Sequence, residues 1–196
     1  MTRLSFRVSI LILALGLPAC APVLPEPPVV PITVQYTFAT QPLLPALHDC
    51  AGDEILAMEK KAIDFQEPDS TDLLLRLGES GDREVSFQVG RVEIIVIAHP
   101  DNPVSWLTAT QVQEIFRGTI TNWAKLGGED LGIQVYIFPA GEDITRIFLE
   151  TGLSGSPITP YARLAFNPAA MLEAITEDQG AVGLLTRDLL AGDVKV

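Results

Sequence analysis

The sequence predicts an α/β fold built on a largely parallel sheet. Segments with the alternating or continuous apolar character of strands are separated by segments of helical periodicity. This order is typical of βαβ units, in which parallel strands need a crossover helix between them. A hydrophobic share of 47% places the chain among globular rather than disordered proteins.

Strands are predicted where β-branched, aromatic or continuously apolar residues cluster. Thr33 to Ala39 alternates as a half-buried strand does. The apolar run from Asp72 to Leu77 favours a buried strand, whereas Ile55 to Phe65 fits either a strand or a charged helix. The remaining predicted strands are 85–89, 92–98, 134–138 and 180–185.

The helix with the clearest signals follows Thr108. Thr108 and Gln111 have the spacing of a capping box, and Gly118 stands where a C-terminal glycine belongs. Between them, Val112, Ile115 and Phe116 form an apolar stripe. Further helices are predicted at 42–52, 144–152, 168–177 and 186–190.

The first nineteen residues have the three parts of an export signal. Arg3 and Arg7 are followed by an apolar run and a small-residue cleavage site, and the run is shorter than the roughly 20 residues that span a bilayer. Leu-Pro-Ala directly before Cys20 resembles a bacterial lipobox, which implies that Cys20 carries acyl chains such as palmitate and becomes the mature amino terminus. An ordinary signal peptide with an incidental cysteine is the alternative.

A proline-rich stretch follows the cysteine. Residues 20–31 favour an extended polyproline II spacer of about 3.1 Å per residue. We therefore expect a signal peptide at 1–19, a lipidated stalk at 20–31 and a binding domain at 32–196. The domain would lie on the extracytoplasmic side of the cell membrane, held there by the lipid.

Charge and cysteine content exclude several classes of function. Removal of residues 1–19 takes away Arg3 and Arg7 and no acid, so the formal net charge goes from −12 to about −14. Such a domain repels nucleic acids and anionic lipid headgroups. Lipidation of Cys20 would leave Cys50 without a disulfide partner, and we expect it to be a buried small hydrophobe. We expect no nucleic acid, no metal and no cofactor.

Specific residues resemble a known family. The segment from Leu107 to Trp123, which contains QEIFRG and ITNW, resembles a signature of phosphate-type periplasmic substrate-binding proteins. Gly180 to Leu185 is similar to a further motif of that family. The resemblance implies a compact version of the two-lobed type II periplasmic-binding-protein fold, with the ligand between the lobes. Lobe one would comprise about 32–97 and 185–196, and lobe two about 98–184.

The resemblance breaks where the family holds its anion. Phosphate binders of this family open a cleft helix with Gly-Ser-Gly-Thr, so that backbone N–H groups face the ligand. This chain has Gly141, but Glu142, Asp143 and Ile144 follow it. At about 4 Å and an effective dielectric constant of about 20, one pair of like charges costs roughly 4 kcal/mol, close to three decades of affinity. The resemblance therefore predicts the fold, whereas the ligand is left open.

The candidate ligand contacts lie at three places. Thr40 and Gln41 follow the first predicted strand, and Arg76 and Gly78 lie at the carboxyl end of another, where α/β clefts form. Two interpretations of Glu142 and Asp143 are open: they select a neutral or cationic ligand in the cleft, or they only cap their helix. The third group of candidates is Gly141, Glu142, Asp143, Thr145 and Arg146.

These patterns favour a binding protein over an enzyme. Adjacent carboxylates on one helical turn cannot flank a bond from both sides, as paired catalytic acids do. The first hypothesis is a monomeric, lipid-anchored solute-binding protein that delivers a small molecule or ion to an ABC-type permease, with phosphate or a related oxyanion implied by the resemblance. The alternative is a lipoprotein with a degenerate cleft that acts as a sensor, scaffold or partner-binding module.

Overall fold

The computed structural model describes residues 30–52, 54, 56–60, 71–79 and 85–196. The predicted signal peptide, Cys20 and most of the stalk lie outside the described residues. Within them, two β-sheets are surrounded by helices, which confirms the predicted α/β class. No helix in these ranges is long and apolar enough to cross a membrane.

The first sheet is formed by the amino-terminal part of the chain. Its three parallel strands lie in the order β2-β1-β3, with β1 at Ile32–Tyr36, β2 at Leu56–Lys60 and β3 at Leu73–Leu75. The strand at 56–60 decides between the two interpretations of Ile55 to Phe65 as far as the segment is described. Val34, in the middle of the central strand, is fully buried.

The second sheet contains four strands in the order β4-β7-β5-β6. The central strand β7 pairs antiparallel with β4 and parallel with β5, and β5 pairs parallel with β6. All six residues of β7 are buried, as expected for an apolar strand covered on both faces. The strands are Ile94–Ala98 (β4), Gln134–Ile137 (β5), Arg163–Leu164 (β6) and Ala181–Thr186 (β7).

Helices connect these strands close to the predicted positions. A π-helical turn, Phe148–Gly152, continues α3 to the predicted end at Gly152. Short 3₁₀ turns lie at Gln41–Leu43, Trp123–Leu126 and Arg187–Leu189. The α-helices are Leu44–Ala51 (α1), Ala109–Arg117 (α2), Asp143–Ile147 (α3) and Pro168–Glu177 (α4).

The capping signals of α2 are confirmed. The Thr108 hydroxyl accepts from the Gln111 backbone N–H at 3.1 Å, and the Gln111 side-chain oxygen accepts from the Thr108 N–H at 2.8 Å. Gly118 adopts the left-handed conformation (φ 77°) and its N–H closes the last turn. Each of these contacts satisfies a backbone group that a helix end otherwise leaves unpaired.

The largest buried cluster surrounds the second sheet. Phe116 of α2 packs edge-on against Phe148, with ring centroids 4.7 Å apart. Trp123 is buried, and its indole N–H donates to the Gly180 carbonyl oxygen at 3.1 Å. Phe38, which follows the first sheet, joins this cluster through a ring contact of 5.6 Å with Phe138. The core therefore extends from the second sheet to the loop after β1.

Several local predictions are wrong. The alternating segment 85–89 is exposed and forms no strand, because alternation alone does not supply a neighbouring strand. The predicted strand at Asp72 to Leu77 shrinks to three residues at the edge of its sheet, where Leu73 and Leu74 are exposed. Cys50 is exposed rather than buried. The two-residue strand β6 was not predicted, since so short a segment has no periodicity.

The strand pair β4–β7 links the predicted lobes. Ile94 to Ala98 pairs with Thr186 to Val182 over five positions, and Lys195 forms a further bridge to Ala98. The predicted lobe limits, at 97/98 and 184/185, both fall within this pair. The limits themselves stay a prediction.

We predict that Phe116→Ala destabilises the fold by about 3–5 kcal/mol, because it opens a cavity at a fully buried position. Phe87→Ala is the matched control, since that ring is exposed and should change stability by less than about 0.5 kcal/mol. Urea unfolding followed by circular dichroism measures both. Equal losses in the two variants would contradict the assignment of the core.

Candidate ligand-binding site

Three backbone segments meet at one place between the two sheets. They are the loop after β1 (37–40), the segment after β3 (76–78) and the turn that begins α3 (141–146). Strands β1 and β3 are parallel, so their carboxyl ends lie at the same edge of the first sheet, where ligand sites of α/β folds form. The turn before α3 follows β5 of the second sheet, so the site joins both halves of the chain.

The loop after β1 is held by two threonines. The Thr40 hydroxyl accepts from the Thr37 backbone N–H at 3.0 Å and lies 3.1 Å from the Leu75 carbonyl oxygen, to which it donates. The Gln41 N–H closes the turn on the Thr37 carbonyl oxygen at 3.0 Å. Both threonines are buried. The loop is therefore attached to β3 through the Thr40 hydroxyl.

Glu142 contacts this loop directly. Its backbone has the extended conformation of a helix N-cap residue, but its side chain makes no capping hydrogen bond. Instead the Glu142 carboxylate accepts from the Phe38 backbone N–H at 3.1 Å. The residue is only 3% exposed. A buried carboxylate needs such donors, because desolvation otherwise disfavours its charge.

Asp143 is the centre of the site. One carboxylate oxygen accepts from the Leu77 backbone N–H at 2.7 Å and from the Thr37 hydroxyl at 3.1 Å. The other oxygen accepts from the Arg146 guanidinium at 2.8 Å. Asp143 is 1% exposed, so these bonds are shielded from water. Charge-assisted bonds of this kind are roughly twice as strong as neutral ones.

Arg146 connects α3 to the segment after β3. Besides Asp143, its guanidinium donates to the Leu77 carbonyl oxygen and contacts Glu150 at 3.2 Å. Gly78 makes this approach possible, because a Cβ there would lie 3.2 Å from the Arg146 guanidinium and 2.9 Å from Ile147. Gly78 also has a φ of 104°, which disfavours other residues. The glycine is therefore needed for close packing as well as for conformation.

The structure brings most of the predicted contacts together. Thr40, Gly78, Glu142, Asp143 and Arg146 belong to one hydrogen-bonded or packed group. Gly141 lies in the turn before Glu142, Arg76 is half-buried next to Leu77, and Gln41 is exposed at the edge of the loop. The Thr145 hydroxyl donates to the Phe138 carbonyl oxygen at 3.0 Å, so it fixes α3 to the end of β5.

Sequence reasoning missed three contributors: Thr37, Phe38 and Leu77. Phe38 and Leu77 contribute backbone N–H groups, which every non-proline residue carries and which no sequence pattern singles out. Thr37 was absorbed into the predicted strand 33–39, although β1 ends at Tyr36. The interpretation of Glu142 and Asp143 as helix caps alone is wrong, since their carboxylates bond to the loops of the first sheet.

The donors of this group face the negative charge of the chain's own carboxylates. Backbone N–H groups, a hydroxyl and a guanidinium all converge on oxygen atoms that carry formal negative charge. Two carboxylates face one guanidinium, so the backbone donors supply the remaining stabilisation. Among the described residues, no three His, Cys, Asp or Glu side chains are placed to hold a metal ion.

Two cavities lie away from this group. One of about 50 Å³ lies beside Trp123 and Asn102, and an open groove of about 370 Å³ lies between Tyr136 and α4. Neither includes the residues described above. The candidate site is distinguished from both by its converging hydrogen-bond donors.

A family model supports this reading of the fold. The model for the PBP superfamily domain matches residues 77–191, which is more than half of the chain. The chain belongs to the PBP superfamily. The matched residues include α2, α3 and all four strands of the second sheet. The predicted resemblance to periplasmic binding proteins is thereby confirmed.

One protein similar to this chain is named as a phosphate-binding protein. The chain is 28% identical over 110 residues to the phosphate-binding protein PstS of Bacillus subtilis (strain 168). The match covers 56% of this chain and 36% of the relative. The chain thus matches little more than a third of the relative's length.

Solved structures confirm the fold. An ABC-type phosphate transport receptor of Vibrio cholerae superposes with a TM-score of 0.66 at 20% identity, over 84% of this chain and 74% of the receptor. A Clostridium perfringens protein, assigned as a phosphate ABC transporter substrate-binding protein and solved with bound phosphate, gives 0.63 at 17% identity, over 85% and 74%. The two-lobed PBP-like architecture is therefore shared with both.

We predict that Asp143→Ala destabilises the protein by about 3 kcal/mol, because it removes a buried charge partner of Arg146 and leaves the Leu77 N–H unsatisfied. Asp130→Ala is the control, since that carboxylate is exposed and bonds only to the Asn122 side chain among the hydrogen bonds found for it. Chemical unfolding of both variants gives the comparison. An Asp143→Ala protein as stable as the control would show that the buried bonds contribute nothing.

Proposed function

We propose that this chain is an exported, lipid-anchored solute-binding protein of the phosphate type, and that it presents a small oxyanion to an ABC-type importer. The observation that carries the proposal is the convergence of buried donors from both halves of the chain on anionic oxygen atoms. Membership of the PBP superfamily and similarity to phosphate-binding proteins support the same class.

The donor set suits an oxyanion in particular. The unprotonated oxygens of an oxyanion such as phosphate accept hydrogen bonds, and the Phe38 N–H, the Leu77 N–H and the Arg146 guanidinium are obligate donors. Thr37 adds a hydroxyl that donates to Asp143 in the structure.

Binding fits the site better than catalysis. Glu142 and Asp143 are adjacent, and both are committed to hydrogen bonds that hold backbone segments. A general acid or base must instead reach a substrate atom with a transferable proton. The related proteins described above are named as binding proteins and transport receptors, not as enzymes.

A second function is favoured by one observation. The anionic oxygens at the site belong to Glu142 and Asp143 themselves, so the cleft has its donors satisfied without a ligand. A lipoprotein of this kind would act as a sensor, scaffold or partner-binding module. It would keep the fold of the family and lose the cargo.

The two candidates differ in calorimetry. Under the first, titration with phosphate releases heat and raises the melting temperature, with sulfate and molybdate as competing oxyanions and a panel of small amines as the negative control. The amines should produce neither effect. Absence of heat and of any melting shift across the oxyanions would favour the partner-binding module.

We also propose that residues 1–19 are a cleaved signal peptide, that 20–31 form a stalk and that 32–196 form the binding domain. Acyl chains on Cys20 would hold the domain at the outer face of the cell membrane, and the importer's permease would be its partner. Two acyl signals anchor stably, whereas one chain anchors only marginally.

We predict that Cys20→Ser abolishes palmitate labelling and moves the expressed protein from the membrane fraction to the soluble exported fraction. Cys50→Ser is the matched control, because Cys50 is exposed within the folded domain and is the only other cysteine of the chain. That variant should keep both label and membrane location. Unchanged labelling of Cys20→Ser would rule out this anchor.

A further inference from the structure

We propose that Glu142 and Asp143 form an internal anion that competes with the external oxyanion for the donors of the cleft. The proposal rests on the proposed function, because it concerns the same site and the same ligand class. It adds that the chain's own carboxylates determine the affinity for that ligand. In the ligand-free protein these carboxylates would then occupy the donors of the cleft, so that the donors are not available to a ligand.

Each donor proposed for the oxyanion bonds to Glu142 or Asp143. The Phe38 N–H bonds to Glu142, and the Leu77 N–H and the Thr37 hydroxyl bond to Asp143. Arg146 bonds to the second oxygen of Asp143. A phosphate that used the same donors would have to place its oxygens where these carboxylate oxygens now lie. The two cannot occupy the donors together.

These bonds also cross from one half of the chain to the other. Glu142 and Phe38 are 104 residues apart, and Asp143 is 106 residues from Thr37 and 66 from Leu77. The backbone and hydroxyl donors belong to loops of the first sheet, whereas the carboxylates and Arg146 belong to the start of the helix that follows β5 of the second. The internal anion therefore closes the junction that a bound ligand would otherwise close.

Competition from a tethered group is strong. A tethered competitor acts at an effective concentration that is set by the chain and reaches the millimolar range even for flexible linkers. Here α3 is fixed in position, because the Thr145 hydroxyl donates to the carbonyl oxygen of Phe138, which directly follows β5. The Phe138 ring in turn packs against Phe38. If the acids stay nearby after displacement, they also repel the incoming anion. Both effects weaken oxyanion binding.

The test uses the full-length double variant Glu142→Ser with Asp143→Gly. The matched control is Glu129→Ser with Asp130→Gly, which makes the same two changes at two consecutive, exposed acids outside the candidate site. Binding of inorganic phosphate is measured by equilibrium dialysis at constant ionic strength. We expect the cleft variant to bind phosphate at least about tenfold more tightly than the wild type, and the control to match the wild type.

Hydrogen exchange provides a second measurement that does not depend on affinity. The Phe38 and Leu77 amides should be protected in the ligand-free wild type, exposed in the cleft variant and protected again when phosphate is added. The single variant Glu142→Ser, which keeps the Asp143–Arg146 pair, should lose protection at Phe38 alone. If the double variant folds poorly, this single variant replaces it in the hydrogen-exchange measurement.

The outcomes separate this inference from the proposed function. Tight phosphate binding only in the cleft variant would support the internal anion and remove phosphate as the natural cargo. Equal, tight binding by the wild type and the cleft variant would support the function and overturn the internal anion. Unprotected Phe38 and Leu77 amides in the ligand-free wild type would overturn it as well, as would a folded cleft variant that binds no phosphate.

Discussion

Two buried carboxylates must find hydrogen-bond donors, and the junction between the two sheets is organised around that requirement. Neither Glu142 nor Asp143 can keep its charge in a dry interior without partners, since an uncompensated buried ion costs several kcal/mol. The partners come from the loops after β1 and β3 and from Arg146 on the next helical turn. The two halves of the chain are thus joined by charge-assisted hydrogen bonds as well as by apolar contact.

The second sheet supplies the rigidity on which this junction depends. Its central strand is buried along its whole length, and α2 is capped at both ends. The turn before α3 leaves β5 beside Phe138, whose ring packs on Phe38 of the opposite loop. A small displacement of α3 would break several hydrogen bonds at once, so the position of the acids is determined by packing that lies outside the site.

The fold shared with phosphate-binding proteins does not by itself determine the ligand. The architecture is shared with two solved structures at 17–20% identity. By the sequence resemblance, Glu142 and Asp143 stand at a turn where the family carries small hydroxyl-bearing and glycine residues. Because carboxylates and oxyanions accept hydrogen bonds from the same kinds of donor, the internal anion proposed above would change what the cleft accepts while the scaffold is kept.

Local patterns in the sequence determined the helices, most strands and the family, because capping residues, periodicity and turn glycines act over a few neighbouring positions. They also identified Thr40, Gly78, Asp143 and Arg146 as candidates. Tertiary structure decided the rest. Whether 85–89 pairs as a strand depends on a neighbour that lies elsewhere in the chain. The partners of Glu142 and Asp143 are backbone N–H groups more than sixty residues away, and a backbone N–H carries no mark in the sequence until folding aims it at an acceptor.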